Sequence, residues 1–384
     1  MAFIDKSALW AVAEESSYGA GATFNITTDL VEFIGPSMDG EIEKIDREVL
    51  KNSMVKEKSI PGKETCSGTL PVEVSSAKGV AGSAKVNGDI LYKSAMGRRI
   101  GDRVSEVPSD STATTVTVAD ASVYIVGQAI KLVKGTASHI AIIRAKDTGT
   151  DILTFSPACA FTDADTVRGL LSFTINTPQD STPSLAVQEY IEDGANRYAY
   201  TYTGVRISSM GIEFPMANII KASFSAAGAG FSVSTPSDLT KQCVNVTPQM
   251  AKNMVFSYDG TDYDIQTLSL NVESEIYDVE AITTAGLTNK IVTGKSGITG
   301  SFAMEFVNTN LFNKFKANTG GELIAKAVAT DGKAFGVYAP NVVLNKSAKS
   351  IDSAVYKENI DFQCVSSGTC SEDSEDALTI WFEN

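Results

Sequence analysis

The chain repeats part of itself at long range. Sliding the 384-residue sequence by 232 positions lays "EIEKIDREVLKNSMVKEKSIPGKETCSGTLPVEV" (41–74) over "ESEIYDVEAITTAGLTNKIVTGKSGITGSFAMEF" (273–306) without a gap. Nine of the 34 pairs are identical: Glu41/Glu273, Glu43/Glu275, Asp46/Asp278, Glu48/Glu280, Lys58/Lys290, Gly62/Gly294, Lys63/Lys295, Gly68/Gly300 and Glu73/Glu305. Random pairing gives about two to four at ordinary residue usage. The register continues beyond the window, where Gly88-Asp-Ile-Leu meets Gly320-Gly-Glu-Leu. A period this long exceeds the roughly 20–50 residues of solenoid and propeller repeats, so each copy reads as a domain.

Within each copy the apolar residues alternate. Leu70, Val72 and Val74 share one strand face, as do Phe302, Met304 and Phe306. Period two is the mark of a strand with one face on a core and one in water, and both copies place a glutamate, Glu73 or Glu305, on the wet side. A helical candidate follows each strand: "VNGDILYKSAM" in the first copy, "NTNLFNKFKANTGGELIAKAVA", interrupted at Gly320-Gly321, in the second. Strands then return, "RYAYTYTGVRISSMGIEFPMANIIKASFSAAG" and "KAFGVYAPNVVLNKSAKSIDSAVYKENIDFQCV". Matching Phe224 to Phe362 leaves about 94 extra residues in the first copy, enough for a small domain. Short β-rich runs such as "TTVTVAD", "AIKLVKG" and "HIAIIRA", separated by turn signals, place it near 99–184. The expected organisation is therefore a first domain at 1–98 plus 185–235, an inserted all-β module at 99–184 and a second domain at 236–384, with 234–249 as the link.

Composition limits the function classes. A net charge of −14 makes tight nucleic-acid binding a poor expectation, because that binding neutralises phosphates with Lys and Arg. No apolar run is long enough to span a membrane, and the N-terminus lacks a basic n-region, so a cytoplasmic site of synthesis is expected. Five cysteines without a Cys-x-x-Cys pair indicate neither zinc nor a disulfide framework, and idle buried thiols are the expectation.

His139 is the single histidine, and a structural role on a strand suits it better than catalysis. "TGKSG" around Gly294 resembles the end of a P-loop, but the first glycine of that motif falls at Asn289. Glu41 and Glu43 sit two apart on one strand, which does not by itself flank a scissile bond, and their recurrence as Glu273 and Glu275 favours a repeated surface. No catalytic, cofactor or metal residues are assigned. The segment "EIEKIDREVLKNSMVKEKSIPGK" alternates charge and keeps its length in both copies, so it reads as an arm reaching a neighbouring subunit, with Asp46, Glu48, Lys58, Asp278, Glu280 and Lys290 along it. An ordinary exposed hairpin is the plainer alternative.

"WAVAEESSYGAGAT", the acidic "EIEKIDRE" and "SIPGKETCSGTLPVEV" together resemble major tail tube proteins of long-tailed bacteriophages. The resemblance covers roughly 1–98 and 185–235 and then the second copy; the 99–184 module departs from it. It implies a mainly β protein: two tandem β-sandwich or barrel domains, each flanked by a helix, one sheet lining a tube, with a small all-β insertion in the first. It implies homotrimeric rings of pseudo-six-fold symmetry stacked into a virion tail. Other tail proteins such as the tape measure and terminator are implied partners, with transient passage of double-stranded DNA. Glu73, Glu305, Glu41, Glu43, Glu273 and Glu275 would then line the lumen. A fibre or surface-layer β-sandwich that binds a ligand is the competing reading, and the inner tube of a contractile tail or type VI secretion system is a related one.

Overall fold

Long alternating stretches do become long strands. The computed structural model describes residues 9–25, 28–46, 58–78, 83–175, 182–193, 196–236, 247–252, 254–279, 290–328, 332–352, 355–365 and 377–383. In the first half β1 (Leu9–Glu14), β2 (Ser37–Ile45) and β3 (Ile60–Glu73) precede the helix α1 (Asp89–Met96) and a short β4 (Arg98–Ile100). Six strands then form a sheet of their own: β5 (Asp110–Ser111), β6 (Thr115–Thr117), β7 (Ala129–Lys134), β8 (Ala137–Asp147), β9 (Ile152–Ser156) and β10 (Thr166–Gly169). The chain rejoins the main sheet at β11 (Leu171–Thr174) and continues through β12 (Leu185–Asp193), β13 (Asn196–Phe214), β14 (Lys221–Gly228) and β15 (Gly230–Ser234). The second half runs β16 (Val255–Tyr258), β17 (Thr261–Asp262), β18 (Ile265–Val279), β19 (Lys290–Glu305), α2 (Asn310–Ala317), β20 (Gly321–Val328), β21 (Ala334–Asp352), β22 (Val355–Cys364) and β23 (Thr379–Phe382).

The two halves share one ladder. The first pairs in the order β1-β12-β13-β14-β3-β2 and the second in the order β16-β20-β21-β22-β19-β18, antiparallel throughout. Registers agree pair by pair. Ser37 faces Thr69 and Ser269 faces Ser301; Glu41 faces Thr65 and Glu273 faces Gly297. Both ladders then skip a residue, at Glu43 and at Glu275, opposite Gly62-Lys63 and Gly294-Lys295, so a β-bulge sits at the same place in each copy. The β13–β14 and β21–β22 hairpins repeat a second bulge, at Ser208 and Asn345.

This register corrects the gapped alignment. Glu73 faces Lys221 and Glu305 faces Lys357, so the counterpart of Phe224 is Ile360, not Phe362. The spacing is 148 residues in the first half and 52 in the second, giving 96 extra residues rather than about 94. The second helical candidate is also shorter than the sequence suggested. It stops at Ala317, and Gly321–Val328 is a strand whose Leu323, Ala325 and Ala327 alternate into the core. Of the 99–184 segment, only β5–β10 form the separate sheet; β11 pairs with β4 and with β23.

The main core lies between the sheets. Leu70, Val72, Val74, Phe224 and Val205 fill it in the first half, and Phe302, Met304, Ile360 and Leu344 in the second. α1 closes over it with Leu91, Tyr92 and Met96 buried, and ends at Gly97, whose φ of 88° suits glycine and few other residues. The β5–β10 sheet has its own core of Val116, Ile130, Ile143, Leu153 and Phe155. His139 lies on β8, its Nε2 2.9 Å from the Pro157 carbonyl oxygen, and burial lowers its pKa. Cys66, Cys159 and Cys364 are buried free thiols; burial pushes Cys66 and Cys364 up to about 12.

Candidate functional site

The joint between the halves builds the surface of interest. β13 is 19 residues long and changes partners between Val205 and Arg206: its first part pairs with β12 and β15 and its last part with β14. The free side of that last part pairs with β18 of the other half: Ser209 faces Glu273, Gly211 faces Asn271, Glu213 faces Ser269 and Phe214 faces Leu268. Eight strands therefore lie side by side in the order β2-β3-β14-β13-β18-β19-β22-β21.

One face of this sheet packs on the core and the other is polar. Register puts Asp39, Glu41, Thr65, Ser67, Thr69, Glu73, Lys221, Ser223, Ser225, Ser209 and Glu213 on the polar face of the first half. Ser269, Asn271, Glu273, Thr299, Ser301, Glu305, Lys357, Asn359, Asp361 and Lys346 take it in the second. Local hydrogen bonds hold it: the Ser269 and Ser301 hydroxyls are 2.9 Å apart, and Asn271 Nδ2 donates to Glu273 Oε1 at 2.7 Å. Lys346 Nζ lies 3.6 Å from Asp361 Oδ2. Seven carboxylates (Asp39, Glu41, Glu73, Glu213, Glu273, Glu305 and Asp361) stand against three lysines (Lys221, Lys346 and Lys357), a net −4 on this face. The rest is mostly hydroxyl, amide and glycine, with Pro71, Ala303 and Ala348 among them.

The structure treats the residues singled out from the sequence unequally. Glu41, Glu73, Glu273 and Glu305 share the polar face. Glu43 and Glu275 fall in the bulges, where alternation no longer assigns a face, so the equal spacing that suggested one side for both members of each pair breaks down there. Tyr277 Oη donates to Glu275 Oε2 at 2.5 Å. Asp46 and Lys58 are exposed at the mouth of the β2–β3 hairpin; Asp278 faces Ile291 and Lys290 faces Val279 at the end of the β18–β19 ladder. Glu48 and Glu280 lie outside the described residues. Lys221 and Lys357 were missed, although the alternation of "KASFSAAG" and "VYKENIDFQC" carries the signal for both.

A profile of the phage tail tube protein family matches residues 6–364, nearly the whole chain. The chain belongs to this family. A comparison with curated protein sequences finds no match. As a tail tube protein it is a structural component of the virion that assembles into a tube with other tail proteins. Its mainly β fold suits that role, and among the described residues no helix is long and apolar enough to cross a membrane.

Proposed function

We propose that three copies of this chain form one ring of the tail tube, that the polar face of the eight-stranded sheet lines the bore, and that DNA passes through it into the host. The carrying observation is that two ladder-equivalent halves lie side by side in one sheet. A contact that relates like units by rotation, and leaves one edge of each kind free, closes into a ring when the rotation closes. Duplication makes each chain two sixths of that ring. Barrels of about 16–18 strands already enclose an aqueous channel, so three eight-stranded sheets closed together leave a wide bore.

The chemistry of the face suits passage without trapping. Serine and threonine hydroxyls offer no fixed positive charge to phosphate, and the net negative charge repels the duplex. At physiological salt the screening length is ~8 Å, which confines that repulsion to the channel wall. The lysines facing Glu73 and Glu305 soften it without reversing it. Assembly in the host cytoplasm and contacts with the tape measure and terminator complete the reading.

Electron microscopy of the purified chain tests it. Hollow filaments whose end-on averages show three-fold symmetry support the ring; a compact monomer at high concentration favours a fibre-type or surface-layer binder. Reversing both glutamates, Glu73→Lys with Glu305→Lys, cancels the net negative charge of the face. Tubes are expected to form while infectivity drops about tenfold or more, given the strength of focused fields in narrow clefts. Unchanged infectivity from such tubes would remove the electrostatic part of the proposal.

A further inference from the structure

The internal β13–β18 joint predicts its own external copy. Carrying β13 onto β21 by the hairpin register, and β18 onto β2 by the 232-residue repeat, converts each pair of that joint into a pair between two chains. We propose that the exposed edge of β21, residues 346–351, docks on the edge formed by Pro36 and β2 of a second copy of this chain. The register is Lys346 to Glu41, Ala348 to Asp39, Ser350 to Ser37 and Ile351 to Pro36. The proposal rests on the ring reading above and assigns its seam residue by residue.

Three observations point to a second copy as the occupant. First, among the described residues β2 pairs in a ladder with β3 alone, and residues 346–351 pair with β22 alone. These edges are the ladder counterparts of the two segments that meet inside the chain, β2 of β18 and β21 of β13. Unpaired sheet edges of this length are templates for another strand. Second, the edges are complementary in charge. β21 presents the exposed Lys346 on the polar face, and β2 presents the exposed Glu41 opposite it with Asp39 two residues away on the same face. The internal joint has Ser209 against Glu273 where the seam places Lys346 against Glu41, so an ion pair is added only where two separate chains must find each other. Third, the apolar end of the joint is uncovered. Phe214 and Leu268 are 2% and 3% exposed where they meet, whereas Ile351, the counterpart of Phe214, is 65% exposed.

Crosslinking of the full chain tests the register. Ser37→Cys combined with Ser350→Cys puts two thiols on facing positions, and facing residues of antiparallel strands have Cβ atoms about 4.5–5.5 Å apart. Mild oxidation of assembled tubes should give disulfide-linked dimers and trimers, with the ladder ending at the trimer because the ring is then closed. Ser37→Cys with Ala348→Cys shifts the register by two residues and should link at least about fivefold less, its Cβ atoms being farther apart. The unsubstituted chain, oxidised alike, gives the background of the native cysteines. In parallel, Lys346→Glu and Glu41→Lys should each reduce the pelleted filament fraction by about fivefold, and their combination should restore it, since opposite charges across strands attract and like charges repel. Filaments that form but show no dimer above background, equal linking by the shifted pair, or no rescue by the double charge swap would overturn the seam while leaving the tube standing. Absence of filaments from the unsubstituted chain would overturn the ring reading itself.

Discussion

Gly68 and Gly300 are identical in the two copies for a steric reason. A Cβ on Gly68 would lie 2.0 Å from the Ser37 carbonyl oxygen, and one on Gly300 would lie 2.6 Å from the Ser269 carbonyl oxygen. Ser37 and Ser269 are themselves equivalent, so both hairpins bring backbone to backbone at the same point. Gly300 also lies beneath the Phe362 ring, with 2.3 Å from its would-be Cβ to Cζ. Strand backbones cannot step aside as the end of a flexible side chain can. Gly68→Ala and Gly300→Ala are each expected to destabilise the chain by about 1–3 kcal/mol, the usual cost of overpacking. Thermal unfolding of both variants checks this, and Gly211→Ala, where a Cβ meets nothing within 4 Å, serves as the control expected to move far less.

At the scale of elements, one side chain of α1 reaches both halves. Tyr92 packs against Phe173 of β11, Phe224 of β14 and Phe382 of β23, with ring centroids 5.1–5.4 Å away, so the helix touches strands of both halves. Its ring is buried, and its hydroxyl has no hydrogen-bond partner among the described residues. Burial pushes its pKa well above the usual tyrosine value, so it stays protonated at any ordinary pH. Tyr92→Phe keeps the aromatic cluster and removes the orphaned hydroxyl, and should raise unfolding stability by about 1 kcal/mol, the low end of the cost of an unsatisfied buried polar group. The strands of this region were legible in the sequence because they alternate over many residues, as in Leu70, Val72 and Val74. The repeat was legible because Gly62, Gly68 and Glu73 mark fixed points of one ladder. What stayed hidden was set by distant partners. The β13–β18 joint links Ser209 to Glu273 with no local signal, and the bulges at Glu43 and Glu275 appear only when two strands are laid together. α2 was drawn too long because Leu323, Ala325 and Ala327 follow a helix directly, and short apolar runs of that kind fit either period. On the polar face, Glu73 and Glu305 were read, but the lysines that oppose them belong to strands whose pairing the sequence left open.

The whole molecule is symmetric along its eight-stranded sheet and asymmetric behind it. The module formed by β5–β10 extends from the first half yet rests on the second, where Ala129, Ile142 and Leu170 pack with Ala334, Tyr338 and Trp381. Lys131 pairs with Glu383, the Ser156 hydroxyl donates to Glu322 Oε2 at 3.0 Å, and the Arg144 guanidinium lies over the Tyr338 ring. The equivalent seat on the first half is polar. Register makes Ser234 the counterpart of Trp381, Thr201 that of Tyr338 and Arg197 that of Ala334. A solvated seat gives the module nothing to bury, so its docking partner is fixed by apolar area. Trp381 is the centre of that seat, its indole lying flat on Gly336, where any Cβ would fall within 2.2 Å of the ring. Replacing it with the residue its counterpart carries, Trp381→Ser, should cost about 3–5 kcal/mol locally, as for other large buried aromatics cut to small residues. The β5–β10 sheet keeps its separate core, so calorimetry should show one transition splitting into two, with amide exchange accelerating at β23 and β11 first. The seam disulfide between Ser37→Cys and Ser350→Cys lies on the far sheet and should still form in this variant. Loss of that crosslink together with the module would show that the back of the molecule shapes the ring, and that the two layers do not act independently.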